Sequence, residues 1–102
     1  MASKLIALHE ISRYVQSGMT VGIGGGPLLA APMALVREVI RSGARDLHLV
    51  ACSTGGFALD LLIGAGRATS AEFAQISFNE YGAAPNFRRY AESGRLRCKD
   101  HT

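Results

Sequence analysis

The sequence predicts an α/β fold built on a mostly parallel sheet. Three short apolar segments, residues 19–23, 46–52 and 70–78, have the length and composition of strands, and they alternate with segments of helical spacing. Each strand segment ends in a turn of small or polar residues. Strands that alternate with helices are joined by right-handed crossovers, so we expect parallel strands with helices on the sheet faces.

The first two helices are predicted from apolar side chains at helical spacing. Residues 5–16 carry theirs on one face and end before Gly18, a residue typical of the position just past a helix. The second helix begins at Pro32, because the first turn of a helix does not need the N–H that proline lacks, and it ends at Gly43. Its buried stripe is Met33, Val36, Val39 and Ile40.

Two shorter helices and one further strand complete the element order. Residues 57–63 are predicted as a helix that ends in a Gly-Ala-Gly turn, and a helix over Pro85–Glu92 ends at Gly94. Residues 95–98 begin a fourth strand. Since neither an internal repeat nor a linker interrupts this order, residues 1–102 are predicted to form a single domain.

Composition excludes several classes of protein. With 102 residues, of which 48% are hydrophobic and 19% charged, the chain fits one small globular domain and not a disordered one. The net charge is +3, but the basic residues form no contiguous stripe, so no nucleic-acid partner is expected. The uncharged window of residues 14–36 is long enough for a membrane span, yet its glycines and prolines would break the helix. No membrane partner is therefore expected.

The two cysteines give no sign of a metal or disulfide site. Cys52 and Cys98 lack the paired spacing of zinc ligands, and two cysteines make no disulfide framework. We expect both to be buried, reduced thiols in a cytoplasmic protein, and we predict no metal site.

The glycine turn after the first strand is the most informative segment. Gly24, Gly25 and Gly26 have no Cβ, so a ligand can approach their peptide N–H groups closely. Such donors stabilise anionic groups or developing oxyanions. The turn departs from the dinucleotide fingerprint G-x-G-x-x-G, whose third position falls on Pro27. A simple nucleotide site and a turn without a ligand remain the alternatives.

Turns at the carboxyl ends of parallel strands meet at one edge of a sheet. We therefore expect the three turns to line one cleft, with the candidate substrate-binding residues Gly24, Gly25, Gly26, Ser53, Thr54, Gly55, Gly56 and Glu80. Ser53 and Thr54 either hydrogen-bond a ligand or cap the helix that follows. Glu80 either lines the cleft or lies near the start of the next helix, whose dipole favours an acid there. His48 alternates with leucines in a strand, which indicates a surface or partnered histidine and not a general base.

Four blocks of this sequence resemble the alpha-type subunits of family I CoA-transferases, in the glutaconate CoA-transferase-like group. The blocks are SGMTVGIGGG at 17–26, PMALVRE at 32–38, DLLIGAG at 60–66 and YGAAPNFRR at 81–89, in the family's order and spacing. Three positions depart from the family pattern. The family has an acidic or amide residue at Ser17, an aromatic residue at Gly26 and a glycine at Ala31, so the substrate contact at Gly26 is expected to differ.

The resemblance implies a three-layer α/β fold and a CoA-transferase subunit that works with a beta-type partner on acyl-CoA and carboxylate substrates. The family's nucleophile is a glutamate of the beta-type subunit, in a Ser-Glu-Asn-Gly context that this chain lacks, so no catalytic residue is assigned here and Glu80 does not receive that role. Coenzyme A is then a substrate, and no cofactor is expected. Arg88 and Arg89 either pair with CoA phosphates or face solvent.

Two other functions are compatible with the same resemblance. One is a CoA-thioester hydrolase of the ring-opening type, which would use water and no covalent glutamate. The other is an inactive domain that binds an acyl-CoA or a partner subunit. Because alpha-type subunits are much longer than this chain, it is expected to be the N-terminal portion of one, either as a fragment or as a short gene product.

Overall fold

The computed structural model describes residues 3–101 and confirms an α/β fold with a parallel sheet. Its strands are β1 (Thr20–Ile23), β2 (Leu47–Ala51), β3 (Thr54–Gly55), β4 (Ala68–Phe73), β5 (Gln75–Ile76) and β6 (Arg97–Asp100). The main sheet has the order β1-β2-β4-β6, with every neighbouring pair parallel. Strands β3 and β5 form a separate parallel pair beyond the carboxyl ends of β2 and β4.

The three α-helices are the crossovers between successive strands of the main sheet. They are α1 (Met33–Ser42), α2 (Phe57–Gly64) and α3 (Pro85–Glu92), and two 3₁₀ helices cover Leu8–Arg13 and Asn79–Tyr81. Helix α1 ends at Gly43, whose φ of 81° is the left-handed conformation that glycine adopts without strain.

All three α-helices lie on one face of the main sheet. The strands follow one another across the sheet in chain order, and crossovers of one hand then place every helix on the same side. The alternating burial of side chains in β2 agrees with helices on one face of the sheet. Leu47, Leu49 and Ala51 are buried, while His48 and Val50 between them are only half-buried. Of the three layers that the resemblance implies, residues 3–101 therefore contain the sheet and one helical layer.

The core lies between the sheet and the helical layer. Its largest fully buried side chains come from β2 and α2 and are Leu47, Leu49, Leu59, Leu62 and Ile63. Helix α2 is the central helix, packed between α1 and α3, and it is apolar around most of its surface.

A buried carboxyl group fastens α2 to the first turn of α3. Asp60 is only 4% exposed. Its Oδ1 accepts the backbone N–H of Phe87 at 2.7 Å, and its Oδ2 accepts Asn86 Nδ2 at 3.1 Å. A Cβ on Gly64 would lie 2.4 Å from Asn86 Nδ2, so this glycine allows the two helices to approach. Asp60 satisfies an N–H group that the first turn of α3 would otherwise leave unpaired.

Two predicted elements differ from those observed. The helix predicted over residues 5–16 is wrong in extent and type, since only Leu8–Arg13 is helical, as a 3₁₀ helix. Leu5, at 88% exposed, and Tyr14, at 59%, do not reach the core, so little apolar burial is available to stabilise a longer helix. The strand predicted over residues 70–78 is divided at Ala74, where the chain leaves the main sheet to pair with β3.

The predicted fourth strand exists, although β6 begins and ends two residues later than expected. The prediction that both cysteines are buried is wrong, because Cys52 and Cys98 are both exposed. Cys98 lies in edge strand β6, and Cys52 directly follows the end of β2. Partial burial of the thiol, together with the nearby Asp100, raises the pKa of Cys98.

The second face of the sheet is polar and carries a connected group of side chains. His48 Nδ1 and Ser70 Oγ share a hydrogen bond, and His48 Nε2 lies 3.4 Å from Glu72 Oε1. Lys99 Nζ lies 3.4 Å from the same oxygen. His48 is therefore a partnered histidine, as its position in the strand predicted. Among residues 3–101, no helix has the length and apolar character needed to cross a membrane.

Replacing Asp60 by alanine is expected to destabilise the fold by about 2–4 kcal/mol, because the Phe87 N–H and the Asn86 amide would each lose a buried partner. Glu92→Ala is the matched control. It removes an exposed carboxylate that pairs with Arg88 in α3, a contact worth about 0–1 kcal/mol. Chemical denaturation of both variants measures the difference, and equal losses would contradict the role given to Asp60.

The polar face also predicts a pH effect. Partial desolvation acts to raise the pKa of Glu72, but hydrogen bonds and charge from Lys99, and then from His48, outweigh it and lower the pKa below its ordinary value of 4.5. A lowered folded-state pKa contributes stability that is complete above the unfolded pKa and is lost as pH falls through the folded one. Lys99→Met should raise the pKa of Glu72 and reduce this loss. Carboxyl-detected NMR titration measures the pKa, and chemical denaturation at several pH values measures the loss of stability, with Arg97→Met, on the same strand, as the charge-matched control.

Candidate functional site

An open groove of about 720 Å³ lies beyond the carboxyl ends of the strands. Three segments form it, namely the glycine turn after β1, the start of α2 and the 3₁₀ helix Asn79–Tyr81. Its lining residues are Gly26, Pro27, Leu28, Leu29, Phe57, Asn79, Glu80 and Tyr81. The groove thus occupies the position at which α/β sheets bind their ligands.

The glycine turn is tightly folded and leaves two amides available. Gly25 has a φ of 91°, and a Cβ there would lie 2.2 Å from the carbonyl oxygen of Ala30. Only glycine fits this backbone. Gly26 N–H donates to Leu29 O at 2.8 Å, so this amide is already used. Within residues 3–101, the exposed Gly24 and Gly25 have no acceptor for their N–H groups, which makes these two the donors that a ligand can reach.

The glycine turn is fastened to the start of α2 by a single carbonyl group. The N–H of Phe57 donates to Pro27 O at 2.9 Å. A Cβ on Gly56 would lie 2.0 Å from the same oxygen, so the close approach requires glycine at this position. Helix α2 has no side-chain cap. Capping by Ser53 or Thr54, one of the two alternatives for these residues, is therefore wrong, because the Pro27 carbonyl takes the place of a cap.

The second turn, at residues 53–56, is joined to the segment that follows β4. Ser53 O accepts the N–H groups of Ala74 at 3.0 Å and Gln75 at 3.2 Å, and Ser53 itself has a φ of 61°. Gly55 is buried, with Ala51 and Leu59 within 3.3 Å of where its Cβ would lie. These contacts place Ser53, Thr54, Gly55 and Gly56 behind the groove, and none of the four belongs to its lining.

Glu80 belongs to the groove and is exposed. The short loop that holds it is closed by three backbone hydrogen bonds, from Phe78 N to Gly82 O at 2.9 Å, from Tyr81 N to Phe78 O at 3.0 Å and from Gly82 N to Asn79 O at 3.0 Å. The ring of Phe78 packs edge-on against Phe57, with 4.7 Å between the ring centroids. This aromatic pair positions the third turn against the start of α2.

The structure thus brings Gly26 and Glu80 to one groove, whereas Gly24 and Gly25, which precede Gly26 in the same turn, do not belong to its lining. Sequence reasoning missed the apolar side chains that form most of its wall, namely Leu28, Leu29, Phe57 and Tyr81. The signal that could have found them is the Pro-Leu-Leu run directly after the glycines, which belongs to no predicted element.

The two arginines of α3 lie elsewhere. Arg88 pairs with Glu92 at 3.0 Å, and Arg89 donates to the side-chain oxygen of Asn86. Both are exposed, and they line a separate surface groove together with Glu92. Of the two alternatives for these residues, the structure favours the solvent face. Over residues 3–101, no group of three or more His, Cys, Asp or Glu side chains is placed to hold a metal ion.

Comparisons with known proteins agree on one family. The family model described as "Coenzyme A transferase" matches residues 6–99. The cholesterol ring-cleaving hydrolase IpdA subunit of Rhodococcus jostii is 42% identical over 76 residues, which are 74% of this chain and 25% of the relative. A 3-oxoadipate CoA-transferase subunit of Pseudomonas knackmussii is 37% identical over 94 residues, which are 92% of this chain and 33% of the relative.

A solved structure gives the same result. Glutaconate coenzyme A-transferase from Acidaminococcus fermentans superposes with a TM-score of 0.85 at 30% sequence identity, over 98% of this chain and 32% of that chain. The chain spans only between a quarter and a third of the length of these relatives.

The contact between the glycine turn and α2 is tested by Gly56→Ala. The new Cβ would overlap the Pro27 carbonyl, which is backbone and has little room to move. We expect a loss of about 1–3 kcal/mol in unfolding free energy. Gly24→Ala is the control in the same turn, since its Cβ would meet no atom within 4 Å, and its effect should stay within about 0.5 kcal/mol. Thermal and chemical denaturation distinguish the two, and a neutral Gly56→Ala would contradict the contact.

Proposed function

This chain belongs to the coenzyme A transferase family, and we propose that it is the N-terminal portion of an alpha-type subunit that supplies half of a CoA-transfer site. The other half, including the nucleophilic glutamate, belongs to a beta-type partner. The observation that carries the proposal is the groove at the strand ends, which is lined by Gly26 and Glu80, together with the unpaired amides of Gly24 and Gly25, which directly precede Gly26 in the chain. We keep the cytoplasm as the predicted location.

The proposed chemistry is an exchange of CoA between carboxylates. The partner's glutamate attacks the thioester carbonyl, the carbon–sulfur bond breaks, and CoA leaves as a thiolate to give a mixed anhydride. The thiolate then attacks the glutamyl carbonyl, so that the acyl carboxylate is released and CoA is held as a glutamyl thioester. An acceptor carboxylate reverses both steps and leaves with CoA.

The contribution of this chain is to stabilise the negative charge that develops on the carbonyl oxygen. The N–H groups of Gly24 and Gly25 are fixed by the tight turn before substrate arrives, and one such donor is typically worth about 3 kcal/mol in the transition state. Ser53 and Thr54 do not line the groove, so we propose that they hydrogen-bond only the part of an acyl group that extends beyond it, and that Glu80 forms a polar contact at its wall. Gly55 and Gly56 allow the turn that carries them to pack closely.

A second candidate is a CoA-thioester hydrolase on the same fold. It is favoured by the 42% identity to the cholesterol ring-cleaving hydrolase subunit. Two transferase subunits, at 37% and 32% identity, match 92% and 98% of this chain, compared with 74% for the hydrolase subunit, and favour the transferase. The two functions differ in whether CoA becomes attached to the partner's glutamate.

The test is to combine the chain with a beta-type partner and to measure exchange between an acyl-CoA and acetate or succinate. Exchange, together with a glutamyl-CoA adduct that borohydride reduces on the partner, would support the transferase. Release of free CoA without the adduct would support the hydrolase. A complex that binds acyl-CoA without turnover would leave the inactive domain as the function, and the absence of a complex would contradict the proposal.

Gly25→Ala should lower kcat in this assay by about 10²–10³, the loss typical of one oxyanion donor. The alanine would overlap the Ala30 carbonyl and adopt a left-handed φ, so the turn must move and its amides with it. Gly22→Ala is the control, because its Cβ would meet no atom within 4 Å and it lies in β1, outside the groove. Circular dichroism checks that both variants keep the fold, and an active Gly25→Ala would contradict the role of these amides.

A further inference from the structure

Among residues 3–101, the side chains that line the groove are mostly apolar and none is positively charged. Five of the eight lining residues in this described range are Pro27, Leu28, Leu29, Phe57 and Tyr81, and the one charged side chain among the eight is the carboxylic acid Glu80. The neighbouring groove that contains Arg37 shares only Phe57 with it. A substrate with a second free carboxylate would therefore meet a like charge at this wall and no cation, which is unfavourable.

The groove is also larger than a short acyl group needs. Its volume of about 720 Å³ lies within the range of roughly 300–1,000 Å³ in which pockets bury whole drug-sized molecules. Leu29 is 79% exposed and Tyr81 is 74% exposed, so a ligand in the groove can contact both of these large apolar side chains. An acetyl group would leave most of these surfaces in water.

Gly26 sets the width of the groove. It lies in the lining, and it contributes no side chain to it. Its φ is outside the left-handed region, and a Cβ there would lie 3.2 Å from Leu29 O, so a larger residue fits after a small shift. The space in front of Gly26 is therefore a property of this residue and not of the backbone conformation.

We propose that this groove selects bulky, apolar acyl groups that lack a second free carboxylate. The inference rests on the proposed function, because it assigns a substrate class to the same CoA-thioester site. The apolar acyl group packs on Leu28, Leu29, Phe57 and Tyr81, while its thioester carbonyl lies toward the amides of Gly24 and Gly25. Glu80 acts by repelling dicarboxylic acyl groups.

The experiment uses the chain in complex with a beta-type partner and compares cyclohexanecarboxyl-CoA, glutaryl-CoA and acetyl-CoA. We expect kcat/KM for the cyclohexane ester to exceed that for glutaryl-CoA by at least about tenfold, a difference that pocket contacts of this kind provide. Equal values, or a preference for glutaryl-CoA, would overturn the inference and leave the proposed function standing.

Two variants test the residues named. Gly26→Phe fills the groove and should lower the ratio of kcat/KM for the cyclohexane ester to that for acetyl-CoA by about tenfold. Glu80→Gln removes the repulsion between carboxylates. It should raise the ratio of kcat/KM for glutaryl-CoA to that for the cyclohexane ester by about fivefold, on the order of 1 kcal/mol. Ala34→Phe adds the same aromatic ring at an exposed position of α1 and should change neither ratio.

Binding measured without turnover separates the two proposals. Calorimetry of the complex with each ester should show tighter binding of the cyclohexane ester, and Gly26→Phe should remove that preference. If this preference is found without exchange or hydrolysis, the proposed function fails and the groove assignment stands. If Gly26→Phe weakens all three esters equally, the walls hold the pantetheine arm of CoA and the inference is overturned. The inference is also overturned if Gly26→Phe leaves the binding of all three esters unchanged, since a partner's side chains then occupy the groove.

Discussion

The Pro27 carbonyl group joins the glycine turn to the start of α2. It accepts the N–H of Phe57 at 2.9 Å and lies against Gly56 so closely that no side chain fits between them. One backbone oxygen thereby replaces the side-chain cap that α2 lacks. Because α2 is the central helix of the core, the glycine turn takes its position from the most deeply buried part of the fold. The turn is thus held in place at Pro27 by the core of the fold.

The third turn depends on the same helix by a different route. Ser53 accepts two N–H groups from the segment after β4, which draws that segment out of the main sheet and beside β3. Phe78 then packs against Phe57, the residue whose N–H group donates to the Pro27 carbonyl. Two turns far apart in sequence therefore meet at the first residue of α2. This arrangement explains why the groove is formed by the first and third turns, while the second turn lies behind it.

The sequence was sufficient for the parallel α/β order because the strands and stop signals are local features. Gly43, for example, ends α1 with the left-handed φ that its position predicts. The long first helix failed because Leu5 and Tyr14 have helical spacing but no core to pack against, which only the tertiary structure reveals. The division at Ala74 could not be foreseen either, since it depends on a carbonyl twenty-one residues earlier in the chain. In the site, glycine composition located the turn, and the apolar walls were missed because loop side chains follow no period.

Some of the residues that carry the family resemblance are required by the packing of the helices, and others are not. Asp60, Gly64 and Asn86 form the contact between α2 and α3. This contact requires a carboxyl group, a residue without a Cβ and an amide at these three positions, whatever reaction the protein performs. Likeness in these blocks is therefore evidence of architecture. We propose that the contribution of this chain to the choice of acyl group resides in side chains that the architecture does not require. In this chain those are the exposed residues of the groove, namely Leu29, Glu80 and Tyr81, together with the absence of a side chain at Gly26.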